Sequence, residues 1–99
     1  MNALKFDWDP RKDKANQDKH VVSFAEARSA FYDGNAIEYY DPDHSDNEDR
    51  YLMIGLSSNL RVLLVCSAFV KGGPKDTIRI ITARRATRKE QTVYIGDRT

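Results

Sequence analysis

Thr77 to Tyr94, TIRIITARRATRKEQTVY, is the stretch whose reading decides the fold. Ile78, Ile80 and Ile81 supply β-branched bulk with Arg79 projecting between them, so it opens as a strand. Arg84 and Arg85 arrive at the strand's end. Thr87 and Glu90 have the spacing of a capping box, which predicts a final helix starting near Thr87. A mostly apolar strand that ends in clustered guanidinium groups suits a packed core with fixed cations at its surface. Such a surface suits phosphates.

Working outward, Val70 to Asp76 contains the breaker Gly72-Gly73-Pro74. Before it, Tyr51 to Ser57 (YLMIGLS) and Arg61 to Phe69 (RVLLVCSAF) read as strands joined by a hairpin turn at Ser58-Asn59. The second of these is apolar on both faces, which places it centrally in a sheet. Asp41 to Asp49, DPDHSDNED, has no apolar residue and reads as a solvated connection, while Ala36 to Tyr40 reads as a strand. Ser23 and Glu26 form another capping box, ahead of a short helix with Phe24, Ala27, Ala30 and Phe31 on one side and Asp33-Gly34-Asn35 as its stop. At the start, Leu4 to Trp8 alternates as a strand. Asp9-Pro10 then caps and opens a polar helix over residues 10–19, which rests on the fold through few contacts or faces a partner. The order β-α-α-β-β-β-β-α predicts a small α+β domain, with an antiparallel sheet and helices packed on one face.

Ninety-nine residues, 40% apolar and 31% charged, make one globular domain over residues 1–99. The longest apolar run, Val62 to Cys66, is too short to span a bilayer, and the start lacks a signal-peptide pattern, so no membrane association and a cytoplasmic location are expected. The lone cysteine, Cys66, lies in an apolar strand pattern and reads as a small buried hydrophobe. Charge is divided. Residues 1–60 carry seven Lys/Arg against twelve Asp/Glu (−5), and residues 61–99 carry nine against three (+6). That asymmetry suggests a basic face for a polyanion.

Three further segments together resemble the BrnT toxin family. At the N-terminus they are Trp8-Asp9, Lys12, Asn16, Lys19-His20, Ser23-Phe24 and Glu26-Ala27; in the middle, His44-Ser45, Glu48, Arg50 and Gly55. At the C-terminus they are Ile80-Ile81-Thr82-Ala83-Arg84, Ala86, Glu90 and Tyr94. The chain departs from the pattern at Val21, where the family has glycine, and at Thr82, where it has serine. The resemblance implies a RelE-like fold and ribonuclease activity. It also implies neutralisation by a BrnA-type antitoxin with a ribbon-helix-helix DNA-binding part, in a two-plus-two complex that reaches operator DNA only through the antitoxin.

Metal-independent RNA cleavage needs the 2′-hydroxyl deprotonated, the crowded phosphate stabilised and the 5′-oxygen helped to leave. Arginine suits the second task because its planar fork binds two phosphate oxygens and stays charged. Arg84, Arg79, Arg50 and Arg61 lie on or beside strands and are expected to converge on one face, with Arg84 the first choice; the alternative is that they form surface ion pairs. His44 is a candidate acid or base, or a solvated loop residue, and Glu48 a candidate base near Arg50, or half of an ion pair. His20 reads as an orienting residue between two helices. Arg85, Arg88 and Lys89 are candidate RNA contacts, and Tyr94 a candidate base-stacking ring. Asp41, Asp43, Asp46 and Glu48 are hard oxygen donors, but their spacing lacks the calcium-loop pattern and its glycine. No cofactor is expected. A catalytically silent domain that binds an antitoxin and controls its operon is the competing reading.

Overall fold

The computed structural model describes residues 4–70 and 76–96. The Gly72-Gly73-Pro74 breaker therefore lies outside the described residues. Strand β1 (Lys5–Asp7) leads into helices α1 (Pro10–His20) and α2 (Phe24–Ala30). Strands β2 (Ile37–Tyr40), β3 (Glu48–Leu56), β4 (Val62–Val70) and β5 (Thr77–Arg85) follow, and helix α3 (Arg88–Gly96) comes last. The predicted acidic loop is shorter than expected. It contains a one-turn 3-10 helix at Pro42–His44, and Glu48 and Asp49 already belong to β3.

The five strands lie in the order β1-β5-β4-β3-β2, with β4 in the middle as its two apolar faces require. β2 to β5 pair antiparallel, but β1 pairs parallel with β5 through Lys5↔Thr77, Phe6↔Ile78 and Asp7↔Arg79. The sheet is thus mixed rather than antiparallel. A three-residue strand joins the far edge because the two helices that follow it carry the chain away from β5. A bulge between Cys66 and Ser67 leaves Ile81 as the extra residue of β5.

Side-chain alternation divides the sheet into two faces. The first carries Met53, Leu63, Val65, Ile80 and Ala83, which pack with Val22, Phe24, Ala27 and Ala30 into the core. Gly55 allows that closeness: a Cβ there would meet the Ala30 carbonyl oxygen at 3.0 Å. Trp8 joins edge-on to Phe24 at 6.1 Å, beneath the Arg28 guanidinium. The caps form as the sequence predicts at Asp9, which accepts from the Arg11 N–H at 2.9 Å, and at Ser23, which accepts from the Glu26 N–H at 3.0 Å. At α3 the box is reciprocal: Thr87 Oγ1 accepts from the Glu90 N–H and Glu90 accepts from the Thr87 N–H.

α1 is almost wholly polar, and its buried residue, Asn16, hydrogen-bonds it to the sheet. β1 ends beside Arg79, so the outer edge of β5 beyond that point lacks a partner strand. The buried Asn16 amide fills the gap, donating to the Ala83 carbonyl at 2.7 Å and accepting from the Ala83 N–H at 3.1 Å. It also donates to the Val22 carbonyl at 2.8 Å. One side chain thus replaces a strand residue.

Among the described residues, two left-handed positions are not glycine: Val21 (φ 58°), which ends α1, and Leu60 (φ 61°), which closes the β3–β4 connection. That connection loops through Ser58, Asn59 and Leu60, with Ser57 and Arg61 bonded across it, and is longer than the two-residue turn predicted. Helix α3 does not join α1 and α2 on the first face. Arg84 alternates with Ala83 and so projects from the second face, where it grips Glu90 of α3.

Candidate functional site

On the second face, Arg50, Ala68 and Arg79 form one row across β3, β4 and β5. Ala68 is small and fully covered, which leaves room for a long guanidinium on either side. Glu48, two residues before Arg50 on the same face, spans both: Arg50 Nε donates to Oε1 at 3.0 Å and Arg79 Nη2 donates to Oε2. The Glu48 side chain is 15% exposed while Arg50 and Arg79 are 33% and 42% exposed, so the carboxylate lies beneath its two cations. Two positive charges against one negative leave a local excess of one.

His44 stands at the rim of this cluster. Its Nδ1 lies 2.9 Å from Asp41 Oδ2, and Asp43, His44, Asp46, Asn47, Glu48 and Arg50 line a shallow cleft of about 280 Å³. Ser45 holds the turn in place: its buried hydroxyl donates to the Asp41 carbonyl and accepts from the Arg50 N–H at 3.0 Å. An Asp–His pair whose carboxylate engages Nδ1 leaves Nε2 to handle a proton. The acidic run does not gather into a cation cage; no cluster of three or more His, Cys, Asp or Glu suited to a metal forms among the described residues. Four of the predicted catalytic residues, His44, Glu48, Arg50 and Arg79, therefore come together.

The other two arginines do not. Arg61 lies just before β4 and points toward α2, where its Nε donates to Glu26 Oε2 at 2.9 Å and its Nη2 reaches Glu26 Oε1 and the Val21 carbonyl. Ser57 also donates to Glu26 at 2.7 Å, so this is a largely buried clamp that ties α2 to the β3–β4 connection. Arg61 holds the Glu26 carboxyl below the usual carboxylate range. Arg84 shares the second face but is engaged in a bidentate fork with Glu90, at 2.8 and 2.9 Å, which holds that carboxyl low as well. The expected convergence of four arginines becomes a convergence of two, because carboxylates close to Arg61 and Arg84 engage them first.

Among the expected RNA contacts, Arg85, Arg88 and Lys89 are exposed around the β5–α3 junction. Tyr94 offers no stacking face: it is 4% exposed and its hydroxyl donates to Asp33 Oδ2 at 2.6 Å. Tyr39 and Tyr40 are both half-exposed, with Tyr40 edge-on to Tyr51 and Tyr51 edge-on to Phe69. Burial pushes the Cys66 thiol pKa up, away from nucleophilic use.

Sequence reading missed a second cleft of about 280 Å³, between α1 and β5, lined by Lys12, Ala15, Asn16, Lys19, His20, Ile81 and Thr82. Its signal was available in the helical spacing of Lys12, Asn16 and Lys19.

A sequence model of the family described as the ribonuclease toxin BrnT of type II toxin–antitoxin systems matches residues 8–90. The chain belongs to the BrnT family. A 1.1 Å crystal structure of the Brucella abortus ribonuclease toxin BrnT has the same fold. It superposes with a TM-score of 0.61 at 23% identity and covers 87% of this chain and 100% of that one. No curated protein gives a significant match. No described helix is long and apolar enough to cross a membrane.

Proposed function

We propose that this BrnT-family toxin is a metal-independent endoribonuclease that works on the second sheet face, at Arg50, Arg79, Glu48 and His44. The observation that carries this reading is the single carboxylate shared by two guanidinium groups on an open face. Glu48 gives each arginine only one carboxylate oxygen, whereas a phosphate can offer each planar fork two, so it can replace that carboxylate without leaving a cation unpaired. His44, held by Asp41 through Nδ1, takes the proton from the 2′-hydroxyl. The 2′-oxygen then bonds to phosphorus, and the bond to the 5′-oxygen breaks, giving a 2′,3′-cyclic phosphate. The leaving oxygen takes a proton from solvent. Arg50 and Arg79 hold the charge that builds on the phosphoryl oxygens. Arg84 and Arg61 act as structural clamps. The RelE-like relationship, and a BrnA-type ribbon-helix-helix antitoxin covering this face in a two-plus-two complex that alone touches operator DNA, belong to the same reading and rest on family membership.

The test is RNA cleavage by the purified chain with a chelator present, together with growth arrest on expression. Arg50→Ala and Arg79→Ala should each slow cleavage by about 10²-fold or more, and His44→Ala by about 10²–10⁴-fold. Wild-type rates in all three variants with activity lost in Arg84→Ala would move the site to the β5–α3 junction. One observation favours a silent antitoxin-binding domain instead: each of the four candidate arginines is ion-paired. Tight antitoxin binding without RNA cleavage would establish that reading.

A further inference from the structure

The cleft between α1 and β5 differs in composition from the cleft beside His44. Lys12, Lys19 and His20 line it with the exposed Thr82, and no acidic residue does. Arg50, Arg61, Arg79 and Arg84 each have a carboxylate partner, whereas Lys12 and Lys19, like Arg85 at the end of β5, have none within ion-pair distance among the described residues. The two acids of α1 are occupied elsewhere. Asp13 accepts from the Phe24 N–H at 2.9 Å and from Gln17, and Asp18 pairs with Lys14. Asn16 at the floor is already committed to Ala83 and Val22, so it fixes the cleft's shape.

The position is as informative as the charge. Thr82 pairs with Cys66 and so faces the same side of the sheet as Arg79, three residues away along β5. At a strand rise of about 3.3 Å that separation is roughly 10 Å at most, less with the bulge. The opposite approach, over Pro42–His44, is lined by Asp43 and Asp46 and repels a polyanion.

We propose that this cleft holds an RNA backbone phosphate next to the one being cleaved, with Lys12 and Lys19 supplying charge and Thr82 and His20 supplying hydrogen bonds. RNA then enters from the α1 side and reaches Arg79 and Arg50 with its phosphate already aligned. This inference rests on the ribonuclease reading but has its own readout, which is binding rather than cleavage.

The probe is a 2′-O-methyl RNA oligonucleotide, which lacks the attacking hydroxyl and cannot be cut. Its affinity for the full chain is measured over a salt series for wild type, Lys12→Ala/Lys19→Ala and Lys12→Arg/Lys19→Arg. Both lysines are exposed, and unchanged thermal unfolding confirms that the variants fold. The alanine pair should weaken binding about tenfold or more and lower the salt slope by about 0.7 to 1.4, one to two fewer phosphates. The arginine pair should restore both. On cleavable RNA, the alanine pair should raise KM more than it lowers kcat. Unchanged affinity and slope in the alanine pair would overturn the inference while leaving the ribonuclease reading standing. Loss of antitoxin affinity with RNA affinity intact would overturn it in favour of a protein partner. Wild-type chain that neither binds nor cuts RNA would overturn both.

Discussion

Asn16→Asp is a nearly isosteric change that should cost this protein much of its stability. In the native chain Asn16 Nδ2 donates to two carbonyls, Ala83 at 2.7 Å and Val22 at 2.8 Å, in a buried position. An ionised carboxylate there removes both donors and sets a negative charge against two carbonyl oxygens. Each carbonyl left without its partner costs about 1–3 kcal/mol, so the two together cost about 2–6 kcal/mol even if the Ala83 N–H keeps its acceptor. A domain of this size is stable by about 5–15 kcal/mol, and each kcal/mol lowers its Tm by about 4–8 °C. The variant should therefore be marginal at pH 7. Its pH dependence gives a second signature. The site disfavours the charged form, so the folded-state pKa lies above the unfolded value of about 3.9, and stability is recovered as pH falls toward 5, where the protonated acid can donate to one carbonyl. Urea unfolding of wild type and variant at pH 7 and pH 5 measures both effects. A variant within about 1 kcal/mol of wild type at pH 7, or one whose deficit grows on going to pH 5, would refute the account of Asn16 as a surrogate strand residue.

Three other perturbations follow from the same structure. Val21→Gly removes a β-branched residue from the left-handed region at a 74% exposed position, so relief of about 1–2 kcal/mol of strain, less about 0.4–1 for the looser unfolded chain, should raise Tm by a few degrees. Glu26 and Glu90 are held below the usual carboxylate range by Arg61 and Arg84, so the stability they contribute is present above that range and lost as pH falls through their lower native pKa values. Glu26→Gln should flatten the acid limb of a thermal-stability profile below about pH 4.5 while lowering stability at pH 7. Arg84→Ala should loosen α3 at a cost of about 1–2 kcal/mol, seen as faster hydrogen exchange in residues 88–96 with the β3–β4 amides unchanged.

The four antiparallel strands and three helices were legible because their signals are local: apolar runs, capping residues and a helix stop. Asp9, Ser23 and Thr87 each act within a few residues, and the sequence shows them. The parallel seat of β1 was not legible, since Lys5↔Thr77 pairing leaves no periodic trace in three residues. Nor was the sorting of the arginines. Whether a guanidinium serves a substrate or a carboxylate depends on which acid comes near it in space, and Glu48 for Arg79 and Glu26 for Arg61 are 31 and 35 residues away. Asn16 looked like one more polar residue on a polar helix because its partner, Ala83, is 67 residues away.

The register of β5 bears on how this toxin is made. Glu48, Arg50 and His44 leave the ribosome well before Arg79, and β1, the first strand synthesised, cannot pair until Thr77 to Arg79 emerge. A chain interrupted anywhere upstream of β5 has an open sheet edge, one arginine instead of two over Glu48, and no wall opposite Lys12 and Lys19. Under the proposed site assignment, a fragment that stops short of β5 lacks Arg79, so cleavage activity arrives only with that strand.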